Sequence, residues 1–277
     1  MRTSDWLIIG MLGVVFAPAV LAMSEAWSRL DYYSHGYLVP VVALWAASAK
    51  SGLLSRLHSE RDRRGLLVLG LALVLDLVGT ASSILWLQGL SVVLAVASVV
   101  LFLRGIAWLR ALSFPIAFLV FMVPLPDALV TPVIIKLQLF VSTAGVSILH
   151  SMGMAVLREG NVIFLPEGES LFVAEACSGI TSIITLLSLA VFFAYFTERS
   201  LGRRAVLVAS VVPIALLGNL LRVLGIVIAS RRYGVEVATQ QSVHDSAGVL
   251  VYVLACLALI GIGRLMRPAK PVKSAAT

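Results

Sequence analysis

The stretch AVLVASVVPIALLGNLLRVLGIVIA, residues 205–229, decides the class of fold. Crossing the hydrocarbon core of a bilayer takes roughly 20 mostly apolar residues, and this run exceeds that with Arg222 as its one charge. The whole chain agrees with it. Of 277 residues, 60% are hydrophobic and 13% charged, and the mean hydropathy is +1.03. A soluble domain carries nearer a quarter charged residues, so a soluble fold is excluded.

Seven further stretches read as spans: Trp6–Met23, Tyr32–Ala49, Leu66–Thr80, Ile84–Leu103, Ile106–Val123, Ala176–Phe196 and Ala247–Gly263. The first has features of a signal peptide, with Arg2 ahead of it and the small-residue site Ala17-Pro18-Ala19, but its basic region is thin and it is read as a span. No repeat, low-complexity tract or polar block interrupts the pattern. The expectation is an all-α polytopic membrane protein of about eight transmembrane helices, forming a single integral membrane domain over 1–277.

Orientation follows from the basic residues of the short connections, which cytoplasmic loops retain. Lys50 with Arg56, Arg61, Arg63 and Arg64 marks one inside loop, Arg104 with Arg110 a second, and Arg199 with Arg203 and Arg204 a third; the basic tail over 264–277 is a fourth inside segment. Both termini are expected in the cytoplasm. If 128–150 also crossed, the acidic loop 151–175 would fall inside and Arg199–Arg204 outside. The expectation is therefore an outer interfacial helix, its polar residues Lys136, Thr143, Ser147 and His150 sharing one face. On this assignment the inside holds 15 basic and 4 acidic residues, and the outside 4 basic and 9 acidic. The net charge of +7 is then a topological bias and gives no reason to expect a nucleic-acid partner.

Loop 151–175 is the one substantial non-helical stretch. Short apolar runs, Asn161–Leu165 and Ser170–Val173, flank Pro166-Glu167-Gly168, and Glu159-Gly160-Asn161 supplies an earlier turn. A small extracytoplasmic β-hairpin or three-stranded meander is expected there, leading directly into Glu175-Ala176-Cys177-Ser178-Gly179.

Two cysteines are too few for a disulfide framework or a structural zinc site. Cys256, among Leu254, Ala255, Leu257 and Ala258, reads as a packing residue. Cys177 stands at the start of a helix, where the dipole favours a thiolate and Glu175 opposes it. By itself it fits a packing thiol as well as a nucleophile. Arg222, with Asn219 on the same helical face, is costly within the membrane; such residues mark a function or tie helices together. His244, at the outer start of the last span, fits a boundary residue or an acid–base group. Parity puts all three on one side, on consecutive helices with short connections. Together they have the parts of an acyl-transfer site: a nucleophile, a proton carrier and a cation for the developing oxyanion. Neither a metal nor a cofactor is called for.

Phe172-Val173-Ala174-Glu175-Ala176-Cys177-Ser178-Gly179, the pair Asn219 and Arg222, and His244-Asp245 followed by Gly248 resemble the three signature blocks of the exosortase/archaeosortase family. Tyr33-Ser34-His35-Gly36 and Pro124-Leu125-Pro126 are similar to its lesser marks. The resemblance covers roughly residues 30–262. It implies a membrane-embedded cysteine protease or transpeptidase in a bacterial cytoplasmic (inner) membrane, with its active site on the periplasmic side. Its partners would be membrane lipids and secreted proteins ending in a Pro-Glu-Pro motif (PEP-CTERM type), a transmembrane helix and a basic tail, in an exopolysaccharide setting. Cys177 would be the nucleophile, His244 the acid–base and Arg222 the oxyanion or positioning group. Asn219, Asp245, Glu175, Ser178, Gly179 and His35 would support them. His35 is expected to face solvent, and Asp76 to be a packed or interfacial carboxylate. A transporter or exopolysaccharide-export component, or a non-catalytic anchor, would also show many spans and a buried arginine, but neither would need Cys177.

Overall fold

Helix formation follows the apolar runs, and the departures come where proline or polar residues interrupt them. The computed structural model describes residues 3–165, 169–172, 180–238 and 240–266. The chain forms two compact units, Met1–Val130 and Thr131–Thr277. The first holds α1 (Thr3–Arg29), a 3-10 stretch (Asp31–Tyr37) leading into α2 (Leu38–Ser48), the single turn α3 (Ser51–Leu54), α4 (Arg64–Ala81) and α5 (Leu85–Arg104). It closes with α6 (Ile106–Ala111), α7 (Ser113–Phe118) and a 3-10 turn over Leu119–Met122, after which α8 (Asp127–Ser151) begins. Beyond α8 come β1 (Leu157–Glu159), β2 (Val162–Phe164), β3 (Ser170–Phe172), α9 (Ile180–Thr197), α10 (Leu201–Ala209), α11 (Val211–Tyr233), the short α12 (Val235–Ala238) and α13 (Gln241–Leu265).

Among the described residues seven helices are long and apolar enough to cross a membrane: α1, α4, α5, α8, α9, the run Leu201–Tyr233, and Ser246–Leu265 within α13. The chain is an all-α polytopic membrane protein. Two of the expected spans, Tyr32–Ala49 and Ile106–Val123, are subdivided instead of continuous α-helices. Pro115 explains the second break. It has no N–H to give the carbonyl of Ala111 four residues back, and its ring would clash there, so α6 stops at Ala111. The Lys50 ammonium donates to that freed carbonyl at 2.6 Å.

Both subdivided segments nevertheless run from one end of the first unit to the other. At one end Arg61 pairs with Asp5 at 2.6 Å, the Asp62 amide donates to the Phe102 carbonyl at 3.2 Å, and Lys50 reaches Ala111. At the other the Trp27 indole donates to the Met122 carbonyl at 2.8 Å and the Tyr37 hydroxyl to that of Ser24 at 2.8 Å. The expected grouping of the N-terminus with the 50–64 and 104–110 segments is thus present in the unit itself. Between the ends, α4 and α5 pack closely against each other. Gly65, Ala72 and Gly79 recur every seventh residue on the facing side of α4, and a methyl group on Gly65 would lie 2.6 Å from Phe102. The hairpin turns through Ser83 (φ 54), with the Ile84 amide donating to the Gly79 carbonyl at 2.8 Å and the Ser83 amide to that of Thr80 at 3.3 Å, the pair of hydrogen bonds that closes a helix C-terminus.

The segment expected at the outer interface is α8. It is one continuous helix of 25 residues, and by length and composition alone it would also suit a span. Its face is as read: Lys136, Thr143, Ser147 and His150 are exposed, and Val141, Ser142, Gly145, Val146 and Leu149 are buried opposite them. In the second unit Val141, Val146 and Leu149 join Val223 and Val227 of α11 and Val156, Ile163 and Leu165 of the sheet region in one apolar core. The sheet is the expected antiparallel meander, order β1-β2-β3, with Arg158 opposite Ile163 and Ile163 opposite Leu171. A second core packs Leu186 and Ala190 of α9 against Leu207 of α10, Val211 and Ala215 of α11, and Ala255 and Leu259 of α13. The three helices expected to be neighbours therefore are. At that end Arg204 caps α9, donating to the carbonyls of Glu198 at 2.8 Å and Tyr195 at 3.2 Å.

Candidate active site

α11 presents Asn219 and Arg222 three residues apart, on one face. Asn219 is buried, at 2% exposure, and Arg222 is half-buried. Arg222 faces α13, and glycines decide how close the two helices come. A methyl group on Gly218 would lie 2.7 Å from Val251, and one on Gly248 would lie 3.3 Å from the Arg222 Nη2 and 3.5 Å from its Cζ. The guanidinium therefore lies next to the space that a side chain on Gly248 would begin to fill. His244 stands four residues earlier on α13, one turn away and about 6 Å along the axis, on the side of the helix that Gly248 occupies.

Cys177, Glu175, Ser178 and Gly179 lie outside the described residues, as do the side chains of His244 and Asp245. In the sequence Cys177 falls five residues after β3 and three before Ile180, the first residue of α9. The sheet that precedes it is held against α11 by the Ile163 core, and the helix that follows it packs on α11 and α13. Of the expected site residues the described structure brings together Asn219, Arg222 and the α13 turn that carries His244.

Beside Arg222, a cavity of about 450 Å³ runs between α11 and α13, lined by Ile214 to Ala229 on one wall and Ala247 to Ala258 on the other. Arg222 is the one charged residue in that lining among the described residues. Among the described residues no group of three or more His, Cys, Asp or Glu side chains could hold a metal ion.

His35 is a correction. It was expected to face solvent, yet it is 6% exposed, with Nε2 3.2 Å from the Phe121 carbonyl. Around it the Leu125 amide donates to the Tyr33 hydroxyl at 2.6 Å, and Gly36 lies under the Trp27 indole, where a methyl group would come within 2.5 Å. The Trp27 indole N–H, the Tyr33 hydroxyl and the His35 Nε2 each meet a main-chain atom of 121–125, which offsets the loss of water on burial. The two lesser motifs are thus halves of one clasp, a pairing that no local pattern announces. Asp76 is the packed carboxylate expected, receiving the Ser91 hydroxyl at 3.1 Å. Cys256 is half-buried against the α9–α11–α13 core, as a packing residue should be.

A family model described as Transmembrane exosortase matches residues 27–261. The chain belongs to the exosortase family. The match begins at Trp27 of the clasp and takes in the sheet, Cys177, the Arg222–Gly248 contact and the His244 turn before ending at Gly261. Comparison with curated proteins and with solved structures finds no match. Exosortase membership ties this multi-pass membrane protein to the processing of sorting signals.

Proposed function

We propose that this exosortase cleaves the C-terminal sorting signal of membrane-anchored secreted proteins through a thioester on Cys177. The thiolate attacks the scissile carbonyl, and the carbon–nitrogen bond breaks as the tetrahedral adduct collapses. His244 takes the thiol proton and returns it to the leaving amine. Arg222 stabilises the oxyanion in the low-dielectric interior, where a fixed cation is worth more than in water. Water or an amine then resolves the thioester. Asn219 and Asp245 would orient Arg222 and His244, and Glu175, Ser178 and Gly179 would shape the start of the nucleophile's helix. The observation that carries this reading is the Arg222 guanidinium lying beside Gly248, one helical turn from His244.

The substrate would present a Pro-Glu-Pro-type motif to a site on the periplasmic side of a bacterial inner membrane, with both termini of the enzyme cytoplasmic. The basic residues grouped at the Asp5 end of the first unit, Lys50 and Arg61 among them, support that orientation.

Processing of a co-expressed reporter with the tripartite tail tests the proposal. Cys177→Ala should abolish maturation, and Cys256→Ala should leave it unchanged. Normal maturation in the Cys177 variant would sink the enzymatic reading and favour a transporter or an anchor.

A further inference from the structure

We propose that the cavity between α11 and α13 is the berth of the substrate's own membrane helix, which lies lengthwise in it past Arg222. The inference rests on the exosortase reading and adds where the apolar part of the substrate is held. The α11 wall runs from Ile214 to Ala229, about 22 Å of helix, most of the depth of a bilayer core. Leu221, Leu254 and Ala258 line the cavity and are exposed along it, so it is open toward the lipid and can be entered from the side.

Arg222 selects among occupants. It lines the cavity well inside α11, eleven residues or about 16 Å from the helix end at Tyr233. An acyl chain at that depth offers a cation nothing, since its polar atoms are all at the headgroup. A polypeptide helix that frays there offers peptide carbonyls, and a peptide carbonyl is what the candidate site has to polarise. The cavity is also continuous with the site. It passes the contact between Arg222 and the α13 turn at Ala247 and Gly248, so a helix seated in it delivers its outer end one turn from His244.

Two positions allow the berth to be filled without disturbing the fold. A methyl group on Gly225 would meet nothing within 4 Å, and Ala258 is exposed in the lining. Ala258 also lies ten residues, about 15 Å, from Gly248, clear of the chemistry. The first experiment places the photo-crosslinker p-benzoylphenylalanine at Ala258 in the full Cys177→Ala chain, co-expressed with a reporter that ends in the cleavage motif, an apolar helix and an arginine cluster. Crosslinks mapping to the reporter's apolar helix, reduced at least fivefold by Gly225→Leu, are expected. Adducts confined to lipid, or reporter crosslinks indifferent to Gly225→Leu, overturn the berth.

The second uses the active chain. Ala258→Leu should slow processing of the anchored reporter about tenfold and change turnover of a soluble peptide, carrying the motif without the helix, by less than twofold. Equal effects on the two substrates, or none on either, also overturn it. Helix-mapped crosslinks in a chain whose Cys177→Ala variant still processes the reporter would uphold the berth while removing the catalytic reading, so the two failures are distinguishable.

Discussion

A glycine lies beside a large side chain at Gly36 and again at Gly248, and the two places do opposite things. Under the Trp27 indole, Gly36 completes a closed clasp in which Trp27, Tyr33 and His35 each meet main-chain atoms of 121–125. Beside Gly248, the Arg222 guanidinium borders a cavity of about 450 Å³. The indole is rigid and its Nε1 is committed to the Met122 carbonyl. The guanidinium is the far end of a flexible side chain beside open space. The same residue type therefore locks structure in one unit and keeps a cation next to an accessible volume in the other.

That contrast can be broken by experiment. The largest effect belongs to Arg222: Arg222→Gln should lower reporter processing by roughly 10²-fold, about the loss for removing one oxyanion donor, with little change in thermal melting in detergent. Arg222→Lys should not restore activity, because an ammonium lacks the planar fork that lies beside Gly248. Wild-type processing in either variant would remove Arg222 from the site.

Next comes Gly36→Ala. Its methyl group cannot coexist with the indole at 2.5 Å, so a loss of stability of about 1–3 kcal/mol is expected, seen as a lower melting temperature with activity per folded molecule retained. Trp27→Phe should cost less, about 1 kcal/mol at the lower end of the range for an orphaned buried carbonyl, here that of Met122. An unchanged melt in both variants would mean that the clasp carries no stability. The smallest stability effect should be that of Gly248→Ala. A contact of 3.3 Å to the end of a flexible side chain is relieved by a shift of a few tenths of an ångström, so melting should hold while processing falls several-fold. A large drop in melting there would erase the distinction between the two glycines.

The long helices, the meander before Cys177 and the side-by-side packing of α9, α11 and α13 were legible in the sequence. Hydropathy, turn residues and short connections are local signals, and a bilayer enforces them strictly because unpaired backbone is not tolerated in lipid. The breaks in the Tyr32–Ala49 and Ile106–Val123 segments were less so. Pro115 announces an interruption, but an apolar count over the window passes across it. His35 was misread because burial of a histidine depends on what meets it, and its partner Phe121 is 86 residues away. For the candidate site, Asn219, Arg222 and His244 were identifiable as polar residues that a membrane span has to account for. The reason for Gly248 was not, since it resides on another helix.

By itself the sequence determined that this protein lives in a membrane, which segments are helical, which connections carry the positive charge, and which few polar residues the spans must accommodate. Each follows from the free energy of moving local groups between water and lipid. Only the tertiary structure decided that Tyr33-Ser34-His35-Gly36 and Pro124-Leu125-Pro126 clasp one another, that Lys50 satisfies the carbonyl left by Pro115, and that Arg222 lies next to Gly248 beside a cavity. These are contacts between groups far apart in the chain, and no local pattern of hydropathy or turn residues fixes them.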